Sequence, residues 1–145
     1  MTLQAETDCR LQIGHAQIDG EHRRLYELAD RIGALLTSGD AAAIGRAHAN
    51  ILELLSYAER HFANEEALMA ITDYPYLDTH RMLHRHLLSE IRDMELRALS
   101  GAPYLPVELN HYIKKWLTSH IETNDRMFGD FLATRQTHCA ELAGA

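Results

Sequence analysis

A chain of 145 residues is long enough for one domain that buries about two thirds of its unfolded surface. Its net charge of −7 and the lack of a basic run argue against a nucleic-acid partner or an anionic membrane surface. No apolar stretch approaches the ~18 residues of a membrane span, and the first ten residues, MTLQAETDCR, are too polar for a signal peptide.

We therefore expect a cytoplasmic protein. Cys9 and Cys139 are near opposite ends of the chain and lack CxxC spacing. They are expected to be two unpaired thiols in a reducing compartment, although the sequence leaves a disulfide between them open.

Taken in chain order, the periodic apolar positions predict four helices, at 19–37, 41–71, 77–99 and 107–128. Turn signals separate them: TSGD at 37–40, TDYP at 72–75 and SGAPYLP at 100–106. Asp40 is the expected N-cap of the second helix, and Asp78 or Thr79 that of the third, while Pro106 suits the first turn of the fourth. Residues 1–17 form an N-terminal arm, and residues 129–145 a short extra helix with a frayed tail.

No stretch alternates as a strand does, so the fold class is all-α. Short connections favour antiparallel neighbours, which predicts a single domain over 1–145 built as an up-down-up-down four-helix bundle.

Polar side chains occupy positions where this bundle needs apolar ones. Steps of three and four residues place one inward face on each helix; on the fourth it comprises Leu109, Ile113, Trp116, His120, Thr123 and Met127. The same rule gives core positions to His22, His61, Glu65, His80, His84 and His120. The remaining histidines are expected elsewhere, with His48, His86 and His111 facing outward and His15 and His138 outside the main helices.

The predicted topology gathers these polar core residues at one end of the bundle. The start of the first and third helices and the end of the second and fourth share that end. Burying several such groups unpaired would cost several kcal/mol each, so a metal centre is the economical explanation. Imidazole and carboxylate ligands together suit iron, zinc or manganese.

Four segments, IDGEH (18–22), HFANEE (61–66), HRMLH (80–84) and WLTSHIETND (116–125), resemble the hemerythrin family, specifically its bacterial single-domain form. The resemblance covers about residues 11–132. It implies a non-haem di-iron centre that binds O2 reversibly. One iron would be held by His80, His84 and His120 and the other by His22 and His61. Glu65 and Asp125 would bridge the two ions, together with a solvent-derived oxo or hydroxo group.

Asp125 is the one implied ligand that a regular helix does not explain. It follows His120 by five residues, about 140° around an α-helix. A local π-type widening, or unwinding of the helix near residues 123–124, would bring it inward. Glu122 is about 200° from His120 and does not replace it. We therefore predict an irregular backbone over 120–126, with Asp125 buried.

The function implied is that of an O2 carrier or store rather than an enzyme, because five neutral imidazoles replace most of the carboxylates typical of di-iron oxygenases. The apolar walls of the O2 pocket would be Leu25, Phe62, Trp116, Leu117 and Ile121. Three alternatives stay open: an O2 or redox sensor that signals to a partner, an enzyme acting on peroxide or nitric oxide, and a structural di-zinc site. We expect a monomer, and a protein recipient of O2 is unidentified.

Overall fold

The computed structural model describes residues 12–38, 40–99 and 105–144, and this part of the chain is all-α, as predicted. The helices are α1 (Ala16–Leu36), α2 (Ala41–Ile71), α3 (Leu77–Leu99), α4 (Leu105–His120) and α5 (Arg126–Gly144). A π-helical turn, Ile121–Asp125, joins α4 to α5. Cys9 and the side chains of His138 and Cys139 lie outside the described residues.

The helices pack in a closed order, α1 against α2, α2 against α3, α3 against α4, and α4 against α1. Together with the short connections, this confirms the predicted four-helix bundle. None of the helices in the described ranges is both long enough and apolar enough to cross a membrane.

The helix ends depend on local capping. Asp40 accepts a hydrogen bond from the Ala42 N–H at 3.0 Å and caps α2 as predicted. His15 caps α1, with its Nδ1 accepting from the Ile18 N–H at 3.4 Å, so α1 begins at Ala16 rather than at residue 19. The predicted cap of α3 is wrong. The helix begins at Leu77, which places Asp78 in its first turn, where a negative charge favours the helix dipole.

The turn after α2 is a Schellman motif with an aspartate in the left-handed position. Tyr74 N–H donates to Met69 O at 2.9 Å, Asp73 N–H donates to Ala70 O at 3.3 Å, and Asp73 has φ 57°. This tight end reverses the chain and starts α3 beside the end of α2.

Two apolar clusters divide the interior. The larger fills the bundle and includes Leu28, Ile51 and Ile113. The smaller lies at the end of the bundle that is near the connection between α2 and α3, and consists of Ile13, Ile18, Met69, Tyr74 and Phe128. Because Phe128 belongs to α5, the last helix closes this end and is part of the core.

The N-terminal arm lies close against α5. A Cβ atom at position 129 would lie 2.7 Å from the Cβ of Ile13 and would also clash with the Ile13 carbonyl oxygen, so only glycine permits this approach. Asp19 accepts from the Ile13 N–H at 2.6 Å and from the N–H of Gly14 at 3.2 Å, and Gly14 has φ +92°. The sequence predicted a short extra helix with a frayed tail over 129–145; the structure has a helix there, which continues to Gly144, with the arm packed on its first turns.

The π-helical turn also corrects the inward face predicted for the fourth helix. Thr123 and Met127 were predicted to be buried, but both are exposed, and half of the Met127 surface is accessible. One additional residue in the turn shifts the helical phase, so that Asp125 and Phe128 point inward instead.

Candidate metal centre

Seven polar side chains converge between the two apolar clusters. Each is at most 6% exposed: His22, His61, Glu65, His80, His84, His120 and Asp125. The structure therefore brings together all the residues that the sequence predicted for the site. It does so because α1 and α3 begin, and α2 and α4 end, at the same end of the bundle.

Asp125 reaches this layer through the π-helical turn. The Arg126 N–H donates to the carbonyl oxygen of Ile121, five residues back, which is the hydrogen bond of a π-helix. That widening places Asp125 on the side of His120, and its carboxylate is fully buried. The predicted irregularity over 120–126 and the burial of Asp125 are confirmed.

The seven side chains form two adjacent groups that share both carboxylates. The three-histidine group is His80, His84 and His120, and the two-histidine group is His22 and His61. Glu65 and Asp125 belong to both groups, and within each group the potential ligand atoms lie within 4.8 Å of one another. Each group is thus compact enough for one metal ion.

Each carboxylate turns one oxygen toward each group. Asp125 Oδ1 lies 3.0 Å from His80 Nε2 and 3.1 Å from His120 Nε2, whereas Oδ2 lies 3.0 Å from His22 Nε2. Glu65 Oε1 lies 2.6 Å from His80 Nε2, and Oε2 lies 3.0 Å from His61 Nε2. This is the arrangement that a carboxylate needs in order to bridge two ions.

Most of the buried nitrogen and oxygen atoms at the centre do not hydrogen-bond to one another, but they could all bind metal ions. Both oxygens of Glu65 and Asp125, and the Nε2 atoms of His61 and His80, make no aligned hydrogen bond although they are buried and close together. Buried polar atoms are normally satisfied, and cations at the centres of the two groups would satisfy all of these. The mixed imidazole and carboxylate set suits iron, zinc or manganese.

The outer nitrogens of three of these histidines have polar neighbours. His61 Nδ1–H donates to Glu21 Oε1 at 2.9 Å, and Asn64 donates to Glu21 Oε2 at 2.8 Å. His84 Nδ1 lies 3.4 Å from Glu66 Oε1, and His120 Nδ1 lies 3.5 Å from the side-chain nitrogen of Asn124. A carboxylate that accepts from Nδ1–H at short distance, as Glu21 does from His61, orients the imidazole so that Nε2 faces the ion.

Sequence reasoning missed these outer partners. Glu21 precedes His22 and Glu66 follows Glu65, so on a helical wheel both resemble solvated surface acids. The available signal was an acidic residue directly beside His22 and beside Glu65, but only the packing of α1 on α2 and of α2 on α3 shows which histidine each acid contacts.

Comparison with known proteins agrees with this arrangement. The family model described as the hemerythrin HHE cation binding domain matches residues 14–132. The chain belongs to the hemerythrin family. Members of this family bind two non-haem iron ions.

Curated relatives carry the same family name. The chain is 32% identical over 120 residues to a bacteriohemerythrin of Stenotrophomonas maltophilia. The aligned region covers 83% of this chain and 76% of that protein. It is 30% identical over 135 residues to one of Ralstonia nicotianae, which covers 93% of both. A bacteriohemerythrin of Clostridium acetobutylicum is 29% identical over 122 residues, with 82% and 94% covered.

In this hemerythrin site, burial and the two carboxylates set the protonation of the histidines. Burial lowers the pKa of His22, but the charges of Asp125 and Glu65 outweigh that effect and raise it to about 10. The same opposition raises the pKa of His80 to about 9. Burial prevails at His84, where nearby His120 and His80 add to it and the pKa falls to about 3.

Both carboxylates are held in the ionised form. Burial and the adjacent charge of Asp125 raise the pKa of Glu65, yet contacts with the surrounding histidines lower it to about 2. Burial likewise opposes ionisation of Asp125, but the histidine contacts, led by His120, hold its pKa well below the usual range. The centre thus presents two anionic carboxylates to any cation.

Apolar side chains border the centre on both sides. The five residues predicted to line a pocket are buried in the larger cluster: Leu25, Phe62, Trp116, Leu117 and Ile121. Phe62 stacks on the ring of His84 at a centroid distance of 3.8 Å and an interplanar angle of 7°. On the other side, the smaller cluster with Tyr74 and Phe128 separates the site from the end of the bundle.

The other described histidines lie away from the centre. His86 and His111 are exposed, and His48 is partly exposed with its Nε2 3.7 Å from Glu95. His15 serves as the cap of α1. These positions agree with the sequence prediction that they face outward or lie outside the main helices.

Proposed function

We propose that this hemerythrin-family chain binds O2 reversibly at a di-iron centre, with His80, His84 and His120 on one iron and His22 and His61 on the other. Glu65 and Asp125 would bridge the ions beside a solvent-derived oxo or hydroxo group. The observation that supports this most directly is the division of each carboxylate, with one oxygen toward each histidine group.

The unequal histidine count indicates where a ligand would enter. With the carboxylates shared, the two-histidine group offers one protein ligand fewer than the three-histidine group. A metal site that lacks a protein ligand keeps a position for an exogenous one. Two ferrous ions there would supply the electrons that reversible O2 binding requires.

The surroundings favour binding without further chemistry. The apolar walls formed by Leu25, Phe62, Trp116, Leu117 and Ile121 would exclude water and restrict proton delivery to bound oxygen. Among the described residues, the buried ionisable side chains are the seven predicted ligands and Tyr74, whose pKa is raised by burial, so the layer holds no separate general base. This argues against an enzyme acting on peroxide or nitric oxide.

A carrier and a sensor both bind O2 reversibly and differ in the consequence of binding for the protein, whereas the alternative enzyme would consume peroxide or nitric oxide. The test begins with anaerobic loading of ferrous iron, after which air is admitted and O2 is then removed. We expect two irons per chain and a visible charge-transfer band that appears with O2 and disappears without it. A site that prefers zinc, or a band that never reverses, would overturn the proposal.

Two further measurements separate the alternatives. Rapid turnover of peroxide or nitric oxide by the loaded protein would favour the enzyme. A large O2-dependent change in protease sensitivity of the helices, with weak O2 retention, would favour the sensor. A carrier should show neither.

A further inference from the structure

The outer hydrogen bonds of the two histidine groups differ in strength. In the two-histidine group, His61 Nδ1–H donates to Glu21 at 2.9 Å. In the three-histidine group, the corresponding contact from His84 to Glu66 is 3.4 Å, at the limit of hydrogen bonding. The shortest outer contact to a carboxylate therefore belongs to the group with fewer histidines.

Glu21 is also the better fixed of the two acids. Its second oxygen accepts from the Asn64 side chain at 2.8 Å, and its side chain is 15% exposed, compared with 24% for Glu66. Asn64 follows His61 by three residues on α2, so it projects from nearly the same face and reaches the same carboxylate. Glu21 on α1 is thus held between two side chains of α2.

A carboxylate that accepts from Nδ1–H has two effects on an imidazole ligand. It fixes the tautomer, leaving the Nε2 lone pair directed at the metal, and it increases the basicity of that nitrogen. His61 Nε2 is buried and lies among the donor atoms of the two-histidine group. A stronger donor at this point compensates in part for the absent third imidazole.

We propose that Glu21, held by Asn64, is a positioning residue that orients and strengthens His61, so that metal retention by the two-histidine group depends on it. The proposal rests on the two-metal site described under the proposed function. It concerns a hydrogen bond behind one ligand of one ion, which makes it separable from whether O2 binds.

The test compares Glu21→Gln with the matched control Glu66→Gln. Both substitutions keep the size of the side chain and remove one carboxylate charge beside a histidine. Metal-free proteins are titrated with Co2+ against a competing chelator, after circular dichroism has confirmed equal helix content. Loss of the hydrogen-bond partner behind a metal ligand typically costs about 10–100-fold in metal affinity. We expect that loss for one of the two ions in Glu21→Gln, and less than about threefold for either ion in Glu66→Gln.

A spectroscopic and a redox readout distinguish ligand tuning from a general structural role. In Glu21→Gln, the Co2+ ligand-field bands of one ion should shift, and the midpoint potential of the iron-loaded protein should move to more positive values. Replacing Asn64 by alanine, which frees Glu21, should give a smaller change in the same direction.

Equal effects of Glu21→Gln and Glu66→Gln, or no loss of affinity in Glu21→Gln, would overturn the inference while leaving the proposed function intact. Failure of the unmodified protein to bind two ions would instead overturn the proposed function.

Discussion

Metal loading of the metal-free protein should release at least two protons per chain at pH 7. The pKa of His22 is raised to about 10 and that of His80 to about 9, because each faces the buried carboxylates of Glu65 and Asp125. Both imidazoles therefore carry an additional proton at neutral pH. A metal ion requires the same nitrogen lone pairs, so binding must displace those protons.

The strength of the competition between protons and metal ions depends on the difference between each pKa and the pH. Relative to a solution above pH 10, the proton on His22 weakens the apparent affinity of the two-histidine group at pH 7 by about three orders of magnitude, and the proton on His80 weakens that of the three-histidine group by about two. Between about pH 7 and 9 the logarithm of the affinity for each ion should rise by about one unit per pH unit. His84, with a pKa lowered to about 3, is already neutral and releases none.

The proton count can be measured by titrating Co2+ into the metal-free protein in two buffers of different ionisation enthalpy. The difference between the two calorimetric heats gives the number of protons released. Release of fewer than one proton at pH 7, or an affinity that does not change between pH 7 and 9, would refute the assigned protonation of His22 and His80.

The same pKa values predict the pH dependence of stability without metal. The pKa values of His22 and His80 are raised on folding, so their stabilisation is complete below about pH 6.5 and is lost as the pH rises through 9 to 10. The pKa of His84 is lowered, so its effect has the opposite sign and stability falls as the pH decreases from about 6.5 toward 3. Urea denaturation of the metal-free protein should therefore show maximal stability near neutral pH.

Three further predictions concern single positions. His84→Leu should prevent the binding of two irons, whereas His86→Leu, two residues away but exposed, should bind both. Elemental analysis after loading measures the iron content, and iron loss in His86→Leu would contradict the helix phases. Deletion of Thr123 should convert the π-helical turn to a regular α-helical one, with Asp125 four residues after His120 and about 40° from it around the helix. Both metals should then be retained, and loss of a metal would show that the π geometry itself is required. Asp73→Gly should stabilise the protein by up to about 1 kcal/mol in denaturation experiments, because φ 57° is unfavourable for a side chain, and Asp73→Ala should not.

Much of the site could be predicted from helical periodicity and topology. His61 and Glu65, like His80 and His84, are four residues apart, so each pair must project from one face of a helix. Because those faces are otherwise apolar and the connections are short, the sequence placed the polar residues in one buried layer, and the structure has them there.

The departure from helical regularity at Asp125 could also be anticipated. A residue five positions after His120 cannot share its face in a regular helix, so the resemblance to the family required a local change of backbone. The helical wheel did not indicate how that change affects the neighbouring residues of the turn and of α5. The sequence predicted that Thr123 and Met127 are buried, but one additional residue in the turn exposes both.

The sequence did not predict which side chains of different helices contact one another. Periodicity shows which way a side chain projects from its own helix, but not which atoms face it from another. Three features join residues from different helices: the pairing of Glu21 with His61, the position of Asp125 between the two histidine groups, and the closure of the bundle by Phe128. Helix composition and spacing determined the fold and the buried polar layer, and the packing of the helices decided the atomic arrangement, because distances between helices are set by side-chain packing over the whole core.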